Sequence, residues 1–245
     1  MIRIERTAET ALMVYLGDKI DVELTADIAR YVHKIKQVLP SAFVEITPSY
    51  CSLLLQLHPA YCTEFELARI ITQLQQIYKE CGFEADVSAR VSLSAHNHIK
   101  SGKQVVLPVY YNVSVGPDLD TVAKHAQVSI DEVIRLHSQQ RYTVCAIGFA
   151  PGFAFLASVD ARIATPRLAT PRHRVPAGSL GIANEQTAIY PADSPGGWQI
   201  IGNCPQPLFD PNAEPMSPFE IGDEVQFESI DRATYLELGG VLWQQ

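Results

Sequence analysis

The residues with the clearest capacity for chemistry lie between Gly148 and Gly202, in a stretch dense in proline and glycine. Proline fixes φ and lacks an amide donor, whereas glycine adopts backbone conformations that other residues avoid. Such a composition excludes a helix, and the many β-branched and aromatic residues are atypical of a disordered linker. We therefore predict short strands and shaped loops whose backbone is placed for a ligand or a partner.

The most suggestive motif in this stretch is Ser194-Pro195-Gly196-Gly197-Trp198. Because two consecutive glycines lack Cβ atoms, the backbone amides of this segment could converge on an anion, as they do in a phosphate-binding nest. No P-loop sequence occurs anywhere in the chain, so a nucleotide site of that type is excluded. An ordinary tight β-turn is the competing interpretation.

A basic cluster precedes this motif, although the chain as a whole carries a net charge of −8. It comprises Arg162, Arg167, Arg172, His173 and Arg174. Arginine presents a planar fork that matches a carboxylate or a phosphate. Binding of an anionic substrate or phosphate is one interpretation. A docking surface for an acidic partner and a set of solvated charges are the others.

Hydrogen-bonding side chains are supplied by the pair Gln186-Thr187 and by Tyr190. Thr187 and Tyr190 are an odd number of positions apart, so they should project from opposite faces of a regular strand. These amide, hydroxyl and phenol groups offer donors but no strong base. Packing in the core or at a sheet edge is the structural alternative for Tyr190.

Three further residues are candidates for proton transfer. His137 lies near the end of a predicted helix, where the helix dipole alone favours a histidine. Asp193 and Asp210 could each act as a general base or bind magnesium, although Asp210-Pro211 is also a common turn. The sequence shows neither a Ser-His-Asp arrangement nor paired carboxylates, which predicts that the chain alone is a poor complete enzyme.

Composition narrows the classes of function. The net charge of −8 argues against nucleic acid as the main partner, and the chain has no apolar run long enough to span a membrane. Five cysteines without a CxxC pair favour reduced thiols in a cytoplasmic protein. Neither the cysteines nor His96 and His98, which have no third ligand nearby, predict a metal site.

Two predicted domains position the candidate residues. Residues 1–92 show a strand, a helix, two strands, a helix and a final strand, which is the order of a ferredoxin-like unit. Helical periodicity runs from Ile28 to Leu39, and a capping box that begins at Thr63 starts the second helix. The polar, aperiodic residues 93–104 are predicted to form a linker.

Residues 105–245 are predicted to form the second domain. Short strand-like segments separated by Gly/Pro turns favour a closed or nearly closed β-barrel, interrupted by helices at 118–126 and after a capping box at Ser129. A last strand-like segment at 233–238 is expected to close or cap it. The predicted fold class is therefore α+β, with a ferredoxin-like domain followed by a β-barrel domain.

Many short motifs occur in a familiar order between Leu107 and Phe227. They are Gly116-Pro117-Asp118-Leu119, Leu136-His137, Gly148-Phe149, Pro151-Gly152-Phe153, Thr165-Pro166-Arg167, Val175-Pro176-Ala177-Gly178-Ser179, Gln186-Thr187, Tyr190-Pro191, Ser194-Pro195-Gly196-Gly197-Trp198, Leu208-Phe209-Asp210 and Gly222-Asp223. In these motifs the chain resembles the family of 5-oxoprolinase B subunits, whose members are also described as allophanate hydrolase subunit 1-like or sporulation-kinase inhibitor-like.

The resemblance implies that the barrel is cyclophilin-like and that the chain works in a complex. The implied partners are a homologous C subunit, which has a related barrel, and the A subunit of the oxoprolinase. The implied reaction is ATP-dependent cleavage of 5-oxoproline (pyroglutamate) to L-glutamate, with ATP, alone or with Mg, as the cofactor. Opening an unstrained lactam is uphill at neutral pH, and phosphorylation of the amide oxygen would make the ring carbon electrophilic.

If the chain is such an enzyme subunit, the candidate residues described above can be given roles, and two other functions stay open. The predicted catalytic residues are His137, Gln186 and Tyr190. The predicted substrate- or phosphate-binding residues are Arg167, Arg172, Thr187, Ser194, Gly196 and Gly197. The alternatives are a regulatory module that inhibits a sensor histidine kinase, and the subunit 1 half of an allophanate or urea amidolyase-type carboxyltransferase.

Overall fold

A computed structural model describes residues 2–17, 22–83 and 102–243. The chain divides into two compact units, Met1–Ser101 and Gly102–Gln245. Most of the predicted linker at 93–104 lies outside the described residues, so the proposed domain limits stay predictions. Its last residue, Gln104, begins a strand of the second unit.

The first unit contains a four-stranded antiparallel sheet and two helices. The strands are β1 (Arg3–Ala8), β2 (Ala11–Tyr15), β3 (Phe43–Ser49) and β4 (Ser52–Leu57), and the helices are α1 (Val22–Val38) and α2 (Glu64–Glu80). The spatial order is β1-β2-β4-β3, so β4 lies between the two strands that α1 connects. The apolar residues of α1, α2 and the sheet share one buried core.

Sequence prediction missed β1, which occupies the sheet edge beside β2. Three of its six residues are charged and five are exposed, and the strand lacks the apolar alternation that marks a half-buried strand. The final strand expected after α2 lies in residues 84–92, outside the described part of the chain. The ferredoxin-like description of this unit therefore stays a prediction, whereas the α2 cap is confirmed, because Thr63 Oγ1 accepts from the Glu66 amide at 3.3 Å.

The second unit is a nearly closed β-barrel, as predicted, and it is built mainly from one seven-stranded sheet. These strands are β5 (Gln104–Val109), β6 (Arg141–Ile147), β7 (Ala154–Ala157), β9 (Ser179–Ala183), β10 (Gln186–Ile189), β12 (Gln199–Asn203) and β13 (Glu224–Ser229). Their spatial order is β12-β9-β10-β7-β6-β13-β5. Tyr110 and Asn203 exchange backbone hydrogen bonds of 2.9 and 3.0 Å, which joins the two ends of the sheet. The cyclophilin-like description stays a prediction.

Two further strands and three helices complete this unit. The strands β8 (Arg172–Val175) and β11 (Ser194–Gly196) pair only with each other, and the helices are α3 (Leu119–Ala126), α4 (Ile130–Ser138) and α5 (Arg232–Glu237). The prediction of a strand at 233–238 was wrong. Asp231 Oδ1 accepts from the Thr234 amide at 2.8 Å and caps a helix there, and the Tyr110–Asn203 bridge closes the sheet instead. Among the described residues, no helix has both the length and the apolarity to cross a membrane.

Candidate functional site

The strand β10 separates the predicted site residues into two groups. Thr187 contacts His137 inside the barrel, whereas Tyr190 packs in a second cluster with Ala188 and Trp198. The sequence prediction that Thr187 and Tyr190 project in opposite directions is confirmed, because side chains alternate along a strand. Gln186 has the same parity as Ala188 and is half-buried at the start of the strand.

His137 is fully buried in the barrel and has a partner for each ring nitrogen. Nδ1 lies 2.9 Å from the Tyr111 hydroxyl and Nε2 lies 3.0 Å from Thr187 Oγ1. Because the Thr187 hydroxyl donates to Gly181 O at 2.9 Å, it accepts from His137 Nε2, and Nδ1 accepts from Tyr111. The ring also stacks on Phe227 with centroids 5.0 Å apart.

Burial lowers the pKa of His137 to about 3. A neutral imidazole with both nitrogens occupied inside a closed core has no route for exchanging a proton with a substrate. The geometry therefore gives no support to the predicted catalytic role of His137 or to the predicted ligand-binding role of Thr187. Both side chains belong to the hydrogen-bonded interior of the barrel.

Tyr190 belongs to a group of five aromatic residues outside the main barrel core, which we call the aromatic face. Its members are Phe149, Phe153, Phe155, Tyr190 and Trp198. Phe153 is central, with ring centroids 4.8 Å from Phe155, 5.5 Å from Tyr190 and 5.9 Å from Trp198. Burial raises the pKa of Tyr190, so its phenol is a neutral hydrogen-bonding group at neutral pH.

Phe149 is the exposed member of the aromatic face, with 67% of its surface accessible. Its φ is +74°, a left-handed conformation that is strained for a bulky residue. Gly152, in the same loop, has a φ of +81°, and an added Cβ would lie 2.6 Å from Leu208 O. A strained backbone conformation of this kind persists only where the surrounding structure holds it in place. Such conformations are frequent at ligand and partner sites. The loop therefore presents Phe149 as a candidate contact residue.

Arg167 is the predicted anion-binding residue that remains available on this face. Its guanidinium carbon lies 5.7 Å from the centroid of Trp198, within cation–π range. The residue is exposed, and it forms no ion pair with any carboxylate in the described ranges. The geometry therefore allows Arg167 to pair with an anion above the Trp198 ring.

Arg172 forms an ion pair and a hydrogen bond within the protein, whereas the sequence predicted that it binds a ligand. Nη2 lies 2.6 Å from Asp118 Oδ1, and Nη1 lies 3.4 Å from Trp198 O. Asp118 is buried, and its Oδ2 accepts from the Ile200 amide at 2.6 Å. From the sequence, Asp118 was placed only at the start of a helix and in a motif, since no pattern in the sequence indicated its partner in β8.

Arg162 and Arg174 of the basic cluster also pair with carboxylates, unlike Arg167. Arg162 Nη2 lies 2.7 Å from Asp160, and Arg174 Nη2 lies 2.7 Å from Asp193. The cluster is therefore a set of separate ion pairs and not one positive patch. Hydrogen bonds from the Ala177 amide and from Arg174 lower the pKa of Asp193, so its carboxylate is a weak base.

The segment Ser194–Gly197 does not form the predicted phosphate nest. Ser194–Gly196 is strand β11, in which Ser194 pairs with Val175 and Gly196 pairs with Arg172. Neither Gly196 nor Gly197 has the positive φ that a nest requires. Gly196 is instead needed for packing, because an added Cβ would lie 2.3 Å from the Tyr190 hydroxyl. The Ser194 hydroxyl is buried without a hydrogen-bond partner among the described residues.

The described residues contain no group of three or more His, Cys, Asp or Glu side chains that could hold a metal ion. Asp210 forms the turn that the sequence suggested, since its Oδ1 accepts from the Asn212 amide at 2.9 Å. The candidate site thus consists of Arg167 and Tyr190 at the aromatic face, of which Phe149 is the exposed ring, while Gln186 lies at the start of β10. It offers an anion partner and neutral hydrogen-bonding groups but no strong base.

The chain matches a known protein family over most of its length. Residues 2–219 match the family described as carboxyltransferase domain, subdomain C and D. The chain belongs to this family. The family resemblance inferred from the motifs is thereby confirmed, and the match extends through both units of this carboxyltransferase-domain protein.

Individual relatives show how similar this chain is to proteins of known name or known structure. The chain is 36% identical over 233 residues to the 5-oxoprolinase B subunit of Bacillus subtilis, covering 95% of each sequence. It is also 36% identical to a conserved uncharacterized protein of Pyrococcus horikoshii of known crystal structure, with a TM-score of 0.53 and coverage of 95% of this chain and 100% of that one. The urea carboxylase of Kluyveromyces lactis superposes with a TM-score of 0.73 over 95% of this chain and 22% of its own length. Its identity is 17%, so this likeness shows the fold alone.

Proposed function

We propose that this chain is the B subunit of a cytoplasmic 5-oxoprolinase complex, which cleaves 5-oxoproline to L-glutamate with hydrolysis of ATP. Its proposed partners are the homologous C subunit, with its related barrel, and the A subunit. The observation that carries the proposal is the 36% identity to a 5-oxoprolinase B subunit over 95% of both sequences. No feature of the described residues favours kinase inhibition or a urea amidolyase activity over this function.

The chemistry of the site supports a role as one part of an enzyme. Arg167 can bind a carboxylate or a phosphorylated group, and the neutral phenol of Tyr190 and the amide of Gln186 can donate hydrogen bonds. Hydrolysis also needs a base to activate water, and these side chains supply none. The partner subunits would therefore complete the catalytic site.

The described residues do not fit a complete site for ATP and Mg. Gly196 is the last residue of β11 and Gly197 follows it, so the glycine pair forms no phosphate-binding loop. Three of the four clustered arginines already pair with carboxylates. The described part of the chain contains no group of side chains that could hold a metal ion. We derive no step through the nucleotide, and we assign its binding to the assembled complex.

Reconstitution tests the proposed function directly. The chain is co-expressed with the A and C subunits of the same organism, and release of glutamate and of inorganic phosphate is measured with 5-oxoproline and ATP. We expect both products to appear together, and we expect them to disappear when this chain is omitted. An assembled complex that forms neither product from 5-oxoproline would overturn the proposal.

A further inference from the structure

Two loops of the barrel unit meet beside the aromatic face and expose apolar side chains. The first spans residues 148–153 and the second spans residues 208–216. They are in close contact, because an added Cβ at Gly152 would lie 2.9 Å from Phe209 Cβ. Three side chains of these loops are exposed, and we call them the apolar rim. They are Phe149, Phe209 and Met216, which are 67%, 37% and 52% exposed.

Phe149 is held outward by a well-defined backbone. The Gly148 amide donates to Phe153 O at 3.1 Å, and the Phe153 amide donates to Ala150 O at 3.0 Å. The positive φ of Phe149 is unfavourable for a bulky side chain, and most of the ring still faces solvent. Folding of this chain alone therefore gains little from the residue. Burial against another protein would explain it, since exposed aromatic and methionine side chains are enriched where proteins associate.

Two carboxylates accompany the rim. Asp210 and Glu214 are both exposed, and the Asp210 amide donates to Met216 O at 2.9 Å, which closes the second loop. Neither carboxylate forms an ion pair within the ranges that the structure describes. A protein surface that fits this region therefore presents apolar side chains with lysine or arginine at their edge.

The rim adjoins the candidate site. The ring centroid of Phe153 lies 5.1 Å from that of Phe149 and 5.9 Å from that of Trp198, above which Arg167 is placed. The side chains of this site supply no base, so another subunit must bring one to it. One side of a standard interface covers about 800 Å², far more than these few rings. A subunit that reaches Arg167 therefore also covers Phe149.

A relative of known crystal structure indicates what kind of neighbour this is. It is 28% identical to this chain with a TM-score of 0.72, and the counterpart of this chain makes up only 40% of its polypeptide. The counterpart is thus covalently joined to a longer stretch of protein. Of the two proposed partners, the C subunit has a related barrel, and related barrels can associate about a pseudo-two-fold axis with equivalent faces in contact.

We propose that the apolar rim is the docking surface for the C subunit, an inference that rests on the proposed function and names the partner that completes its site. The Phe149 ring is the anchor and is buried between apolar side chains of the C subunit. Basic side chains of the C subunit pair with Asp210 and Glu214. Docking here places the C subunit over the Trp198 ring, where it supplies the missing base.

The test measures the Kd between the full-length chain and immobilised C subunit of the same organism by biolayer interferometry. Phe149→Asn removes the ring, and asparagine adopts a positive φ more readily than phenylalanine does. We therefore expect the Kd to rise roughly 10- to 100-fold, as for an aromatic anchor, without a lower melting temperature. Phe65→Asn is the matched control, because Phe65 is 77% exposed but lies on α2 of the first unit. Its Kd should equal that of the wild type.

Met216→Lys tests the charge of the partner surface. The Met216 side chain is exposed and only its backbone carbonyl holds the loop, so the variant should fold normally. A lysine at this position would repel the proposed basic side chains, and we expect the Kd to rise about 10-fold or more. This variant decides the outcome if Phe149→Asn proves less stable than the wild type.

The binding results separate this proposal from the proposed function. The docking assignment is overturned if both folded variants bind the C subunit with wild-type affinity, if Phe65→Asn weakens binding as much as Phe149→Asn, or if only binding of the A subunit is lost. An active complex with any of these results leaves the proposed function standing. Conversely, if the variants lose the C subunit but the wild-type complex does not cleave 5-oxoproline, the docking surface is supported and the proposed function fails.

Discussion

Arg172 Nη2 lies 2.6 Å from Asp118 Oδ1, and the same guanidinium contacts the backbone of Trp198, a member of the aromatic face. Asp118 precedes α3 and also accepts from the amide of Ile200 in β12. Arg172 belongs to β8, and its Nη1 reaches the carbonyl of Trp198. One buried carboxylate thus connects the start of α3 with β8 and β12, so it is a structural group and not a ligand for substrate.

Removal of Arg172 should therefore destabilise the fold. We expect Arg172→Ala to lower the free energy of unfolding by about 2–4 kcal/mol, because a buried carboxylate loses its partner. Arg167→Ala is the matched control, since Arg167 is exposed, and its effect should be within about 0.5 kcal/mol. Urea unfolding of both variants measures the difference. Equal effects would show that the backbone amide alone satisfies Asp118.

The two neighbouring glycines of the Ser194–Gly197 segment should respond differently to alanine. A Cβ at Gly196 would lie 2.3 Å from the Tyr190 hydroxyl, whereas the nearest atom to a Cβ at Gly197 is 3.6 Å away. We expect Gly196→Ala to cost about 1–3 kcal/mol through overpacking and Gly197→Ala to cost less than about 1 kcal/mol. Thermal and urea unfolding give both values. A phosphate nest would instead make both variants lose anion binding with little change in stability.

The parts of the fold that could be predicted depend on neighbouring residues in the sequence, such as helix caps and strand alternation. The capping residues Thr63 and Ser129 each accept from a backbone amide three positions on, as the capping boxes indicated. The parity of Thr187 and Tyr190 placed them on opposite faces correctly. Segment 233–238 was misjudged because six residues are too few to distinguish the helical period of about 3.6 from the strand period of 2, and the cap at Asp231 was overlooked.

The site depended on contacts that are distant in sequence. His137 is neutralised by burial among Tyr111, Thr187 and Phe227, which come from separate strands and connections. Ser194–Gly196 is extended because β8 pairs with it, and no short motif identifies that partner. A run of arginines likewise indicates charge but not which carboxylates neutralise it. Residue type and spacing therefore identified candidate residues but not the contacts that each of them makes in the fold.

The burial of His137 predicts a specific dependence of stability on pH. Its folded pKa of about 3 lies below the unfolded value of about 6.5, so the unfolded chain binds the additional proton. The stabilisation is complete above the unfolded pKa and is lost as the pH falls. Between pH 7 and pH 5 this one group should lower the free energy of unfolding by about 2 kcal/mol.

His137→Gln isolates this contribution, because glutamine offers hydrogen bonds but does not titrate. The variant is expected to be less stable at pH 7, yet its loss between pH 7 and pH 5 should be smaller than that of the wild type by about 2 kcal/mol. Urea unfolding at both pH values provides the comparison. Parallel pH profiles would mean that His137 titrates normally and is accessible to protons.

Arg167 should affect activity without affecting stability, which is the opposite of the effect expected for Arg172. In the reconstituted complex we expect Arg167→Ala to lower kcat/KM for 5-oxoproline about 10- to 100-fold, because a charged hydrogen bond to an anion is lost. Arg167→Lys should recover part of the loss, since it keeps the charge but not the planar fork. Arg141→Ala, which removes an exposed arginine that pairs with Glu224 on β13, is the control for surface charge. Unchanged kcat/KM in Arg167→Ala would remove the aromatic face from the catalytic site, and the anion would then have to be bound elsewhere in the complex.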